Sequence, residues 1–412
     1  MSNMYKKQKT LMLLGGSRQQ VLPIIKAKEL KYKTVLCDYL PNNPGREFAD
    51  VFYLISTTDK DEILKVAKKE KIDGIVAYAS DPAAATVGYV SEKLNLPGGH
   101  PYQSVEILTN KDKFREFLRK NGFNVPKAKS FSSFESFLKG LEDFNFPVII
   151  KPVDSSGSKG ISYLENKNET LNKHKLLELF TNALQFSRNK KIIVEDLIKK
   201  KGYQVAGDGF SIDGKLVFRC FGDDHFDVNN SNPFVPIAAS FPTSLSESMQ
   251  SKIHDEIQRL LSLLNMGTGA YNFDIIIDDY DNIFLMEIGP RNGGNYIPQV
   301  IEYSCGVDLL TTTLQFALNE GYFKSKVQES KFCCYYAIHS KVAGTLKNLT
   351  INSDFKKNNL IQSFINIEIG QYVEAYNGSN SCIGILLLHF DNWKSMIEAI
   401  ESPFLWMNIE VS

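Results

Sequence analysis

Residues 269–295, GAYNFDIIIDDYDNIFLMEIGPRNGGN, constrain this chain more than any other stretch. Two runs rich in apolar and β-branched residues, 270–278 and 283–288, flank the polar residues Asp279, Tyr280, Asp281 and Asn282, which is the pattern of two strands joined by a hairpin loop. A four-residue loop pairs Asp278 with Ile283. Counting back along both strands then sets Asp274 opposite Glu287 on one face, with Cβ atoms roughly 5 Å apart. Facing carboxylates repel unless something positive sits between them. A hard divalent cation such as Mg²⁺, which takes one or two carboxylates and leaves its other positions to water and phosphate oxygens, suits that gap. A register slip of one residue would instead leave the two on a solvated strand face, apart.

Other stretches carry groups with matching chemistry. FPVIIKP reads as a buried strand that delivers Lys151 to the Ser/Gly-rich residues 154–160. Such a loop can close over phosphates with backbone N–H groups and hydroxyls while the lysine supplies a point charge, although the same composition also serves plain connectors. The strand KIIVEDLI carries Glu195-Asp196 near its end, where backbone groups could address an adenine edge or simply finish a strand. Arg291, four residues after Glu287, fits a carboxylate or phosphoryl oxygen, or else a surface turn set by Pro290 and Gly293-Gly294.

The N-terminal residues alternate between strand and helix: strand 10–14, the turn Gly15-Gly16-Ser17, a helix to Leu30, a strand ending at Asp38, a helix over 59–70 and a strand over 72–78. That order predicts a parallel, doubly wound sheet. Asp81-Pro82 starts another helix, with Asp81 as N-cap and proline at the first helical position. Further helices are expected over 111–120, 133–141, 169–187 and 245–264, and two strands over 204–221 around the turn Asp213-Gly214. Beyond 325 the pattern gives short strands and one helix. The turn 15–18, Asp38, Ser80-Asp81 and the polar segment 223–236 are candidates for a substrate pocket, the last as a covering loop.

A length of 412 residues suggests two or three domains. Equal numbers of acidic and basic residues, 47 each, remove the electrostatic argument for nucleic acid as a partner. Six cysteines without CxxC spacing read as reduced thiols of a cytoplasmic protein, and six scattered histidines form no metal motif. No apolar run approaches the ~20 residues that span a bilayer, and the first ten residues lack a signal-peptide core. TLMLLGGS with Asp38 downstream also suits a nicotinamide-dependent oxidoreductase, but the full GxGxxG is absent.

Taken in order, NKDKFREFL, VIIKPVDSSGSKG, IIVEDLI, GAYNFDI and FLMEIGPRNGGN resemble the ATP-grasp superfamily over about residues 1 to 310, closest in style to carbamoyl-phosphate-synthase-like and amino-acid ligase members. The resemblance implies a multidomain α/β and α+β fold: an N-terminal parallel Rossmann-like (pre-ATP-grasp) domain at 1–101, an ATP-grasp fold at 102–325 with a mobile lid at roughly 125–195, and a C-terminal α+β segment at 326–412. It implies that Lys113 and Lys151 contact ATP phosphates and that Ser155, Ser156, Gly157, Ser158 and Gly160 form the loop over them. Glu195, Asp196 and Leu197 would line the adenine pocket, and Asp274 and Glu287 would hold Mg²⁺ or Mn²⁺. Gln204 stands where the family commonly has a glutamate for the ribose hydroxyls. Gly289 replaces the family's metal-binding asparagine, which leaves Asn292, Asn295 or Glu287 alone to serve.

The implied activity is ATP-dependent ligation of a small carboxylate, such as an amino acid or sugar acid, to an amine or thiol. It runs through an acyl phosphate and releases ADP and phosphate, with Arg291 and Lys151 as the catalytic groups. An ATP-binding sensor without turnover, and activation of bicarbonate, are the alternatives. The expected partners are the carboxylate and amine substrates, not nucleic acid or a membrane; a homodimer is left open.

Overall fold

The computed structural model describes residues 8–323 and 330–412. The boundary expected at 325 and the first seven residues, read above as part of a stretch without a signal-peptide core, lie outside them.

Strands Thr10–Leu14 (β1), Lys33–Asp38 (β2), Val51–Leu54 (β3) and Gly74–Val76 (β4) form a parallel sheet in the order β3-β2-β1-β4. Every residue of β1 is buried, as expected of a strand covered by helices on both faces. The edge strand β3 has no counterpart in the sequence reading, because its four residues lack a period long enough to show. The next helix, Asp81–Leu94, has Ser80 rather than Asp81 as its N-cap; Asp81 is the first helical residue, and its carboxylate is committed elsewhere.

Helix Lys111–Lys120 ends at Asn121-Gly122 as expected and leads to a second, antiparallel sheet. Its strands are Ala128–Phe131 (β5), Val148–Pro152 (β6), Ser162–Leu164 (β7) and Ile192–Asp196 (β8), ordered β5-β8-β6-β7. A cluster including Phe131, Phe137 and Phe180 packs it against its two helices. The long helix expected over 169–187 is split: Asn172 caps a new helix, Lys173–Gln185, by accepting the N–H of Lys175 at 3.1 Å. The residues before it form a separate turn, Lys167–Leu171.

The largest sheet holds Gln204–Ile212 (β9), Lys215–Phe226 (β10), Pro236–Phe241 (β11), Gly269–Ile277 (β12), Ile283–Gly289 (β13), Phe332–Ile338 (β14), Leu360–Ile365 and Gly384–Phe390, all antiparallel. C-terminal strands thus extend the sheet that carries the hairpin, and a small three-stranded sheet completes that region. Two α-helices, Ser353–Asn359 and Trp393–Glu401, stand where the sequence suggests one. Residues 223–226 belong to β10, so the covering loop begins only at 227. Helix Glu247–Leu263 buries Ile253, Ile257, Leu260 and Leu261 under this sheet, a helical-period stripe worth roughly 1.5–3 kcal/mol per side chain.

The hairpin pairs Asp274 with Glu287, but not by the expected route. Ile277 pairs with Ile283, so the loop spans five residues, 278–282, and a bulge between Asp274 and Ile275 leaves Met286 as the extra residue. The longer loop shifts the register by one and the bulge shifts it back.

Candidate active site

Three elements converge on the acidic pair: the floor of the large sheet, helix Lys111–Lys120, and β6 and β8 of the smaller sheet. The backbone register brings Asp274 beside Ala206, Ala206 beside Gly222, and Gln204 beside Asp224, with Asn272 and Asp208 one step further along. Alternation along each strand sets all of them on one face with Glu287. Small residues line the middle of that face and acidic residues its two sides. Asp274 is half-buried, and burial together with the charge of Glu287 pushes its carboxyl up to about 6. Gln204 Nε2 donates to Asp274 Oδ1 at 2.7 Å. Burial also raises Glu287, but Lys111, 3.1 Å from its Oε2, and Arg291 outweigh that and hold it below the ordinary range.

Lys111 matters more to this geometry than Lys113. Its Nζ reaches Glu287 and also donates to Ser155 O at 2.9 Å, bridging the acidic pair and the Ser/Gly loop. Lys113 points outward and pairs with Glu106 at 3.4 Å, its side chain half exposed. The structure therefore brings Lys111, not Lys113, to the other groups. Helical spacing carries the signal: 111, 114, 115 and 118 share a face, and Phe114, Arg115 and Leu118 are buried.

Arg115, 1% exposed, is the second residue the sequence reading does not single out. Its Nε lies 2.8 Å from Glu195 Oε1, and its Nη1 donates to Met286 O, the extra residue of the bulge, at 2.9 Å. Lys151 Nζ lies 2.5 Å from Glu195 Oε2. Burial favours the protonated form of Glu195, yet the two cations prevail and bring its carboxyl to about 2. One carboxylate thus answers two cations. Burial pushes Lys151 down from the usual lysine range despite Glu195, and Arg115 and Lys111 add to that. An anion arriving beside Lys151 would relieve this excess of positive charge.

The Glu195 side chain is therefore spent on Lys151 and Arg115. Along the same strand end, Asp196 N–H donates to Lys127 O at 2.9 Å and Leu197 N–H to Pro147 O at 3.0 Å. The loop above them is anchored at its base by Asp154, whose carboxylate accepts from Ser187 Oγ and from the N–H groups of Arg188 and Asn189. Ser155, Ser156 and Ser158 are half-buried, Gly157 is exposed, and Gly160 is buried against Phe186 at a φ of +69°. Asp38, the acid the oxidoreductase reading needs, instead accepts the N–H groups of Gly16 and Leu40, both at 2.7 Å.

Residues 144–299 match the family model of the ATP-grasp domain. This chain carries an ATP-grasp domain. It is 28% identical over 288 residues to a formate-dependent phosphoribosylglycinamide formyltransferase of Prochlorococcus marinus, covering 69% of this chain and 70% of that one. It is 25% identical over 278 residues to the uncharacterized protein y4rH of Sinorhizobium fredii, a match that takes in 66% of this chain but only 55% of that protein's length. In fold it is similar to an L-amino acid ligase from Bacillus licheniformis, with a TM-score of 0.80 at 20% identity, covering 99% and 100% of the two chains.

Within the ATP-grasp domain, the residues after β13 face the N-terminal sheet. Arg291 Nη2 lies 2.5 Å from Asp81 Oδ2, and both side chains are nearly buried. Gly289 makes room for this pair: a Cβ there would stand 2.8 Å from Asp81 Oδ1 and 3.1 Å from Arg291 Cζ. Asn295 donates its N–H to Gln19 Oε1 at 2.9 Å, and its side chain hydrogen-bonds the buried Tyr335, so neither group is turned to Glu287. Asn292 is fully buried beside His100 and Arg291 in a cavity of about 60 Å³. Asp208 accepts from Gly293 N at 2.8 Å and Asn272 Nδ2 at 3.0 Å, and burial pushes its carboxyl up to about 7. Among the described residues no three His, Cys, Asp or Glu side chains gather into a metal-binding group. Asp274 and Glu287 are thus a two-carboxylate set of hard oxygen donors, which fits a cation that keeps water and phosphate oxygens among its ligands.

Proposed function

We propose that this chain is an ATP-dependent ligase that activates a small carboxylate as its acyl phosphate, passes the acyl group to an amine, and releases ADP and phosphate. The observation that carries the reading is the buried arrangement in which Glu195 is shared by Lys151 and Arg115 while Lys111 spans Glu287 and the Ser/Gly loop. The cluster gathers more cationic groups beside Lys151 than Glu195 alone can answer, under a loop whose composition suits phosphate.

Lys151 and Lys111 bind the phosphate oxygens of ATP and neutralise charge that builds on the transferring group. Asp274 and Glu287 are the residues that would hold Mg²⁺ or Mn²⁺, which when bound supplies further charge neutralisation between phosphates. The stretch 195–197 borders the adenine, and Gln204 the ribose. Arg291, fixed by Asp81, presents its guanidinium at the seam between the hairpin and the N-terminal domain, where it binds the carboxylate and then the acyl phosphate. Residues 155–160 exclude water from that intermediate. The carboxylate and the amine enter between the N-terminal domain and residues 227–235. The division into domains at 1–101, 102–325 and 326–412, and the choice of amino acid or sugar acid, belong to this proposal.

Incubation of the purified protein with Mg²⁺-ATP and a panel of amino acids and sugar acids tests it. ADP and phosphate released in step with one carboxylate and one amine are expected. Nucleotide binding with no phosphate release under any combination would favour a sensor, and no nucleotide binding at all would remove both readings.

A further inference from the structure

We infer that Asn232 is a positioning residue that ties the loop over the phosphates to the loop over the substrate; the inference rests on the nucleotide reading above. Asn232 is 7% exposed. Its Nδ2 donates to Ser158 O and to Asn377 O, both at 3.0 Å, and its Oδ1 accepts the N–H of Phe234 at 3.0 Å. A primary amide has two N–H groups, so both are used, on carbonyls that lie 74 and 145 residues away in sequence.

Neighbouring bonds close the same junction. Ser158 Oγ donates to Phe234 O at 3.0 Å, Ser231 Oγ to Tyr376 O at 2.7 Å, and the N–H of Ser379 to Gly157 O at 3.4 Å. The fit is close: a Cβ on Gly157 would stand 2.6 Å from Ser379 Oγ. Behind the junction opens a polar cavity of about 870 Å³, whose lining includes Lys159, Asn182, Glu374 and Asn377. Gly157 and Ser158 of the Ser/Gly loop are therefore hydrogen-bonded to residues 231–234 and 376–381, while its base is held separately by Asp154 and Lys111. Aspartate at 232 would keep the acceptor for Phe234 but turn an anion toward two carbonyl oxygens, and an apolar side chain would leave both without a donor. Closure over the nucleotide is in this way coupled to order in the substrate loop, which keeps an activated carboxylate from forming where the second substrate has no site.

Hydrogen exchange on the full chain, with and without Mg²⁺ and a non-hydrolysable ATP analogue, tests the coupling. In the wild type the analogue should slow exchange in 155–160, 229–235 and 376–381 together. In Asn232→Asp the slowing should be confined to 155–160, with exchange in the other two segments about fivefold faster than in the wild type. Strands β12 and β13 should exchange as before, which separates the effect from general unfolding; should Asn232→Asp not fold, Asn232→Ser is read in the same way. Asn229→Ala, whose side chain bonds Asp227 and takes no part in the junction, should retain the concerted response. Concerted slowing that survives in Asn232→Asp overturns the inference. If the analogue protects nothing in the wild type, the nucleotide reading fails instead, and the inference is then decided without ligand: the three segments must exchange faster together in Asn232→Asp.

Discussion

Glu195→Gln removes the one anion shared by two buried cations, and its cost can be worked from the geometry. The Glu195 carboxyl is brought from an ordinary 4.5 to about 2, which at about 1.36 kcal/mol per pH unit amounts to about 3 kcal/mol in favour of the folded, ionised form. The burial of all three groups gives little room for solvent screening, with side chains 1% exposed at Arg115 and Glu195 and 10% at Lys151. Removing one partner from a buried ion pair costs about 3–5 kcal/mol by an independent route, and the two figures agree. Native-state hydrogen exchange of Ile193 and Val194 on β8, followed in low concentrations of urea, reads this local stability directly. The sign with pH follows from the lowered carboxyl: its contribution is complete above 4.5 and is lost as pH falls from there toward about 2. The gap between wild type and variant should hold steady from about pH 5 to neutrality and narrow on further acidification. A gap under about 1 kcal/mol at neutral pH, or one that ignores acidification, would refute the shared-carboxylate account.

Three other outcomes are expected. Lys151→Ala and Lys111→Ala should each weaken Mg²⁺-ADP binding by about tenfold or more in calorimetry, the loss of one charge-assisted contact, whereas Lys113→Ala should stay within about twofold. Asp274→Asn and Glu287→Gln should each abolish tight binding of Mn²⁺ in the presence of ADP, measured by electron paramagnetic resonance; undiminished binding in both would remove the pair from the metal site. Gly289→Ala should lower thermal stability, with a penalty of about 1–3 kcal/mol for forcing the Arg291–Asp81 pair apart, and an unchanged melting temperature would show that the pair yields freely.

Periodicity and turn chemistry make most of the elements legible in the sequence. Helix Lys111–Lys120 and the strands around Asp213-Gly214 follow from local pattern alone. The pairing of Asp274 with Glu287 is legible for a less comfortable reason: an underestimated loop and an unseen bulge cancel. No local pattern in the strand announces that bulge, since the group that meets its carbonyl is Arg115, some 171 residues away. The same long range hides the partners of Glu195 and Arg291. A strand-end glutamate reads as a site for ligand until the structure shows a lysine and an arginine on it, and a turn arginine reads as exposed until Asp81 is seen beside it. Lys111 is a different case, because a helical wheel extended by one turn would have found it.

The bulge at Met286 has a consequence for how this hairpin can vary. Because Arg115 grips the Met286 carbonyl from outside the hairpin, the alignment of Asp274 with Glu287 is set near the base of the two strands and not at their tip. Tyr280, 86% exposed, marks a tip that can lengthen or shorten with little effect on the acidic residues, because an unpaired residue next to the anchor can absorb a change in count. Insertions and deletions, or a grafted tag, should therefore be tolerated at 279–281, whereas a single-residue deletion at 284–286 should consume the bulge and with it the Arg115 contact that fixes the strand.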